Sequence, residues 1–217
     1  MPPSTRAPRS DGVATRKAIL EAAGFLIADA GLALAASKQI AARAGVDVAS
    51  INHHFGNREG LYQAVLVEAH RRLIDGKHLE QLAASTEPPE TKLKSLIRLL
   101  VQGGALEPNW PLIVLAREIM APSAHLMALQ QEEVLPKLQR VLPILSELTA
   151  LPPDDPRVWR CLPSIAAPCA LFALAGKLDS PLTNRFSAAP AEVVVEHLFA
   201  FAMGGLAAIS QAPETGQ

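Results

Sequence analysis

Between Asp47 and Gly56 the chain reads DVASINHHFG, and four of its side chains, Ala49, Ser50, Asn52 and His53, pair small size with a methyl, hydroxyl, amide or imidazole group. Such groups can hydrogen-bond base edges in the major groove of duplex DNA, or touch the thymine methyl. They can do so only from the outer face of a short helix whose inner face is packed. Ile51 and Phe55, four residues apart, supply that inner face. Asp47 is a suitable N-cap, and Gly56 stops the helix.

A helix that enters a groove needs a second helix to hold it. Upstream, SKQIAARAG at 37–45 has Ser37 as its expected N-cap, Ile40 and Ala44 as inward positions, and Gly45 as the tight turn. With Val46, residues 37–56 therefore read as a helix-turn-helix, for which a structural helical hairpin is the plain alternative. Arg58 adds a separate hint. A cation in the first turn of a helix opposes the macrodipole, and a bound phosphate would compensate it.

The surrounding pattern is helical throughout, which makes the expected fold all-α. Hydrophobic residues are 49%, charged residues 19% and aromatics only 4% of 217 residues, with Ala and Leu abundant. Ile19, Ala23, Leu26 and Ala30 mark one face of a first helix that begins near Asp11 and ends at Gly31. Residues 1–10 read as a disordered arm, favoured over an arm that places Arg6 and Arg9 in a minor groove. Residues 11–58 form the expected DNA-binding domain, and a fourth helix at about 57–76 connects it to a ligand-binding and dimerisation domain at 59–211.

Within that larger part, Gly76 to Thr91 reads as a polar break. Helices are expected at Lys92–Gly103, Leu112–Met120 and Ser123–Leu151, the last kinked by Pro136 and Pro143. LPPDDP at 151–156 punctuates the chain before two apolar helices, Arg157–Leu178 and Pro190–Ser210. The final face, Val194, Leu198, Phe201, Ala202, Gly205, Leu206 and Ile209, is too apolar for a solvated terminal helix. Burial in the protomer core is the plain reading of that face, and contact with a second copy is the other.

The net charge of -1 conceals a mild asymmetry. Residues 1–60 carry 7 Lys/Arg against 5 acids, and the remainder 13 against 16. Cys161 and Cys169 would lie ~12 Å apart on a helix, too far for a disulfide, which fits a reducing cytoplasm. Charges and Pro168 interrupt the apolar stretches, so no membrane span is expected. His53 and His54 diverge around their helix and lack a spaced partner, so metal binding is not expected. No nucleophile elbow, metalloprotease motif or phosphate loop is present, so no cofactor or enzyme is expected.

The runs TRKAILEAAGFLIADAG at 15–31 and SKQIAARAGVDVASINHHFGNREGLYQAVL at 37–66 resemble the TetR family of repressors, and INHHFGNREGLY is especially similar to its CecR-like branch. Weaker similarity continues in REIMAPSAHL at 117–126, around Pro136, and in LPPDDPRVWRCLPSIAAPCALFALAGKL at 151–178. The resemblance implies a homodimer on a palindromic operator, with Ser37 and Lys38 touching phosphate and base and Val48, Ala49 and Ser50 facing bases. Asn52, His53, His54 and Arg58 would grip the DNA backbone. The family's usual Tyr is replaced by Asn52, the branch's by His53, and the usual Lys by Arg58. If His53 takes over a phosphate contact, affinity weakens as pH rises through the histidine range.

Family resemblance also implies a small-molecule effector in the C-terminal helices. Apolar candidates are Leu100, Leu112, Leu115, Met120, Leu138, Leu142, Leu171 and Phe172, with Arg117, Glu118 and His125 as polar partners. Ordinary core packing is the alternative for each. A helical dimer that has lost DNA recognition, and an enzyme on a helical bundle, are the rival functional classes.

Overall fold

The computed structural model describes residues 8–105, 107, 109–176, 178, 180–187 and 189–211, and no strand occurs among them. Twelve helices follow one another: α1 (Pro8–Ala30), α2 (Ser37–Ala44), α3 (Val48–Phe55), α4 (Arg58–Leu73), α5 (Gly76–Ala84), α6 (Pro89–Ala105), α7 (Trp110–Met120), α8 (Leu126–Leu129), α9 (Leu135–Thr149), α10 (Pro156–Ala175), α11 (Thr183–Ser187) and α12 (Ala191–Gln211). A π-helical turn, Gln130–Val134, joins α8 to α9. Arg6 lies outside the described residues. The first helix starts at Pro8, so the expected ten-residue arm is at least three residues shorter.

Local chemistry sets the boundaries. Asp47, Asn57, Asp75 and Asp155 each accept a backbone N–H from the first turn of the helix they precede. Ser37 does not cap α2, contrary to expectation. It is already helical, Ala36 holds the extended cap position, and the Gln39 side chain accepts the Ala36 N–H instead. Gly45, at φ 69°, turns the chain between α2 and α3 in a conformation that penalises any Cβ.

Two further departures come from packing. The stretch expected to be a polar break contains α5, because Asp75 caps it and Leu79 is buried in the core. The long helix expected from Ser123 begins at Leu126 and carries the π turn just before Pro136, which has no N–H to continue the α-helical ladder.

Buried apolar residues divide into two cores. The first joins Ile19, Ile27, Ile40, Ile51 and Leu66 of α1–α4 with Trp110, Val114 and Leu115 of α7 and Leu129 of α8. The second joins α5, α6, α9, α10 and α12 through residues such as Leu79, Ile97, Leu145, Val158 and Val195. The N-terminal helices are thus not packed on their own; α7 completes their core.

α10 and α12 are both long and apolar enough to cross a membrane, contrary to the sequence expectation. Pro168, Glu196 and His197 lower their apolarity too little to change that. Each is nevertheless built into the helical domain. Val158, Cys161 and Cys169 of α10, and Val194, Val195, Leu198 and Leu206 of α12, are buried in the second core. Glu192 and Glu196 of α12 bind Arg98 and Lys94 of α6 at 2.5 Å each.

Candidate DNA-reading surface and effector cavity

The α3 helix presents Val48, Ala49, Asn52 and His53 to solvent and buries Ile51 in the first core, where α3 packs on α2 and α4. Phe55 completes its inner face, with the Arg16 guanidinium 5.1 Å from its ring centroid. Ser50 is half-buried. Its Oγ donates to Asp47 Oδ1 at 2.6 Å, while its N–H donates to the same oxygen at 2.7 Å. Those bonds hold the Asp47 carboxyl below its ordinary pKa and fix the start of α3. His54 is half-buried, with its ring edge-on to His53 at 5.2 Å between centroids.

At the start of α2, Lys38 is exposed and Ser37 half-buried. Arg58 is exposed too, but the structure supplies it with a protein partner. Its Nη2 donates to the carbonyl oxygens of Leu32 and Ala33 in the link between α1 and α2. The macrodipole conflict noted from the sequence is therefore relieved by two backbone dipoles, and Arg58 ties α4 to that link.

A cavity of about 450 Å³ lies at the seam between the two cores. Leu115 and Leu129 of the first core and Leu79, Leu96 and Leu145 of the second line it. Of the residues expected from sequence, Leu100, Leu115, Glu118 and Leu138 line this cavity. The others stand elsewhere. Leu142 is buried in the second core, Leu112 packs near Gly104, and Phe172 lies beside His197. Met120 is 86% exposed and Leu171 also faces solvent. Arg117 donates to the Asp29 carbonyl at 3.2 Å, and His125 Nε2 meets Glu59 Oε2 at 2.7 Å.

Three polar residues of the cavity wall were not anticipated, His70, Gln130 and Lys137. Lys137 Nζ donates to His70 Nδ1 at 2.9 Å and pairs with Glu133 at 3.3 Å, while Arg71 holds Glu133 at 2.5 Å. Burial, then the neighbouring Lys137 charge, pushes His70 down to about 4. Burial also lowers Lys137 from its ordinary value. On α7, Glu118 is 2% exposed and fully engaged: Tyr62 donates to one oxygen at 2.6 Å, and Ser123 to the other through N–H and Oγ. Burial raises the Tyr62 phenol, with the Glu118 carboxylate adding to the shift.

α7 connects cavity and reading surface physically. While Leu115, Glu118 and Ile119 wall the cavity, Trp110 lies flat against Gly24 of α1, where any Cβ would collide with the indole. Trp110 Nε1 donates to Glu21 at 3.0 Å, and Arg72 stacks 5.0 Å above the ring.

A packed helix pair with an exposed short helix, set on a helical body with an internal cavity, defines a helix-turn-helix DNA-binding regulator. Residues 19–65 match the model of the bacterial regulatory proteins of the tetR family, and residues 89–206 match that of the C-terminal domain of the HTH-type transcriptional dual regulator CecR. The chain belongs to the TetR family, in its CecR-like branch, and is a DNA-binding transcription regulator rather than an enzyme. Solved structures share the fold. A TetR-like regulator from Rhodococcus sp. RHA1 is 16% identical, with TM-score 0.66 over 93% of this chain and 99% of that one. The fatty acid degradation regulator FadR from Bacillus halodurans is 21% identical, with TM-score 0.67 over 94% and 99%. LfrR from Mycobacterium smegmatis, solved in complex with proflavine, is 19% identical, with TM-score 0.58 over 88% and 96%. No curated protein matches the sequence.

Proposed function

We propose that this chain is a cytoplasmic repressor that binds a palindromic operator as a homodimer and leaves it when a small molecule fills the seam cavity. The observation that carries this reading is the shared role of α7, which walls the cavity and completes the core of the reading head. A ligand that shifts α7 must move or strain α1 through Trp110 and Gly24. Effector and DNA then compete through one conformational equilibrium.

The dimer reading rests on α12. Val194, Leu198 and Leu206 are buried within the protomer, and Ala202 and Ile209 pack against the same core. The outward stripe is instead Val193, His197, Phe201, Gly204, Gly205 and Ala208, with Phe201 72% exposed. A Cβ at Gly204 or Gly205 would meet open space, so their smallness serves no contact within the protomer. Together with the exposed Leu171 of α10 they suit a helix pair from a second copy, giving a two-fold interface and two reading helices.

The test is selection of duplexes from random DNA by the full-length protein, followed by a screen for compounds that release the selected duplex. A palindromic consensus, bound saturably and salt-sensitively, is expected. Binding without sequence preference would refute the operator, and a duplex that no cavity-binding compound releases would refute the effector mechanism.

A further inference from the structure

We propose that the cavity takes an amphipath with a long apolar body and one carboxylate head, and that Lys137 seats the head. The inference rests on the effector reading above and adds the ligand's chemical class. The lining, contributed by the seven helices α4–α10 and the π turn, is mostly aliphatic, and it reaches the surface at Ile119, which is 72% exposed. At about 30 Å³ for each water-sized group, 450 Å³ holds about 15 such groups. That is the size of a medium-chain fatty acid.

Charge decides the head group. Glu118 is a carboxylate whose two oxygens already accept three hydrogen bonds, so it has little left to offer a cationic ligand. Lys137 is 7% exposed, and His70 and Glu133 take two of its three N–H groups. The Glu133 carboxylate and the nearby Asp75 charge offset Lys137 and the largely exposed Arg71, which leaves one Lys137 N–H without an acceptor beside an apolar wall. A buried ammonium N–H without an acceptor is costly. A ligand carboxylate at Lys137 supplies that acceptor as a charge-assisted bond, and it competes with Glu133 on the π turn that links α8 to α9.

Isothermal titration of the full chain with dodecanoate, dodecanol and dodecylamine tests the assignment. Dodecanoate is expected to bind with the highest affinity. Lys137→Met, which keeps a buried linear side chain, should weaken dodecanoate by about tenfold or more, the size of a charge-assisted hydrogen bond, and leave dodecanol unchanged. Glu133→Gln removes the competing carboxylate and should tighten dodecanoate, so the test survives if Lys137→Met fails to fold. Equal or stronger binding of dodecanol or dodecylamine overturns the proposal, as does dodecanoate binding that neither variant alters. Tight dodecanoate binding that leaves the operator complex intact would sustain the ligand class and refute the effector reading. Release by other cavity ligands with no dodecanoate binding would do the reverse.

Discussion

At the scale of single residues, the buried charges behave unlike their exposed counterparts. His70 contacts Lys137 of α9, with Glu133 of the π turn also acting on it, and its folded-state value near 4 lies below the ordinary 6.5. The unfolded chain therefore binds a proton on His70 between these values that the folded chain refuses. Stability from this group is full above about pH 6.5 and is lost as pH falls toward 4, by up to about 3 kcal/mol. Urea unfolding at pH 7 and pH 5 should show the loss, and His70→Gln should flatten that interval. None of this was legible in the sequence. Lys137 and Glu133 sit four apart, as in any solvated helical pair, and only the fold of α4 against α9 buries them.

Elements set what the residues can do, and their legibility followed the range of the interactions that form them. α2 and α3 were readable because their signals, Gly45, Asp47 and the spacing of Ile51 and Phe55, lie within twenty residues. The Ser50 hydroxyl, expected to face bases, donates to Asp47, a bond that the sequence did not reveal. α5 was missed because its stability comes from Leu79 packing in a distant core. The cavity was partly legible, since α6, α7, α9 and α10 were expected to supply it, but which of their residues face it depends on where those helices cross. Gly24 is the sharpest element-scale case. Gly24→Ala places a methyl into the Trp110 indole and should destabilise the protein by about 1–3 kcal/mol through overpacking, despite Ala's better helix propensity. A denaturant midpoint that rises in this variant would show that α1 and α7 are not held as described.

At the scale of the whole molecule, two cores meet at one cavity, and α7 belongs to both the cavity wall and the DNA-reading head. Under the proposed mechanism this arrangement couples the two sites, because packed interfaces switch between arrangements rather than deform smoothly. The proposed palindromic operator calls for a second copy, one reading helix for each half-site. Phe201→Glu puts a charge into the proposed interface without disturbing either core, so light scattering should report a monomer whose helicity is unchanged. Operator affinity should fall with dimerisation, by at least about a hundredfold if two half-sites become one.

The central claim, that paired α3 helices read DNA, is tested most directly by fluorescence anisotropy of a selected palindromic duplex titrated with wild type and with Ala49→Glu. The exposed Ala49 touches neither core, so the variant should fold normally, and the account predicts two chains per duplex for wild type and no saturable binding for the variant. Undiminished binding by Ala49→Glu, with the same stoichiometry and salt dependence, would show that α3 does not face the bases.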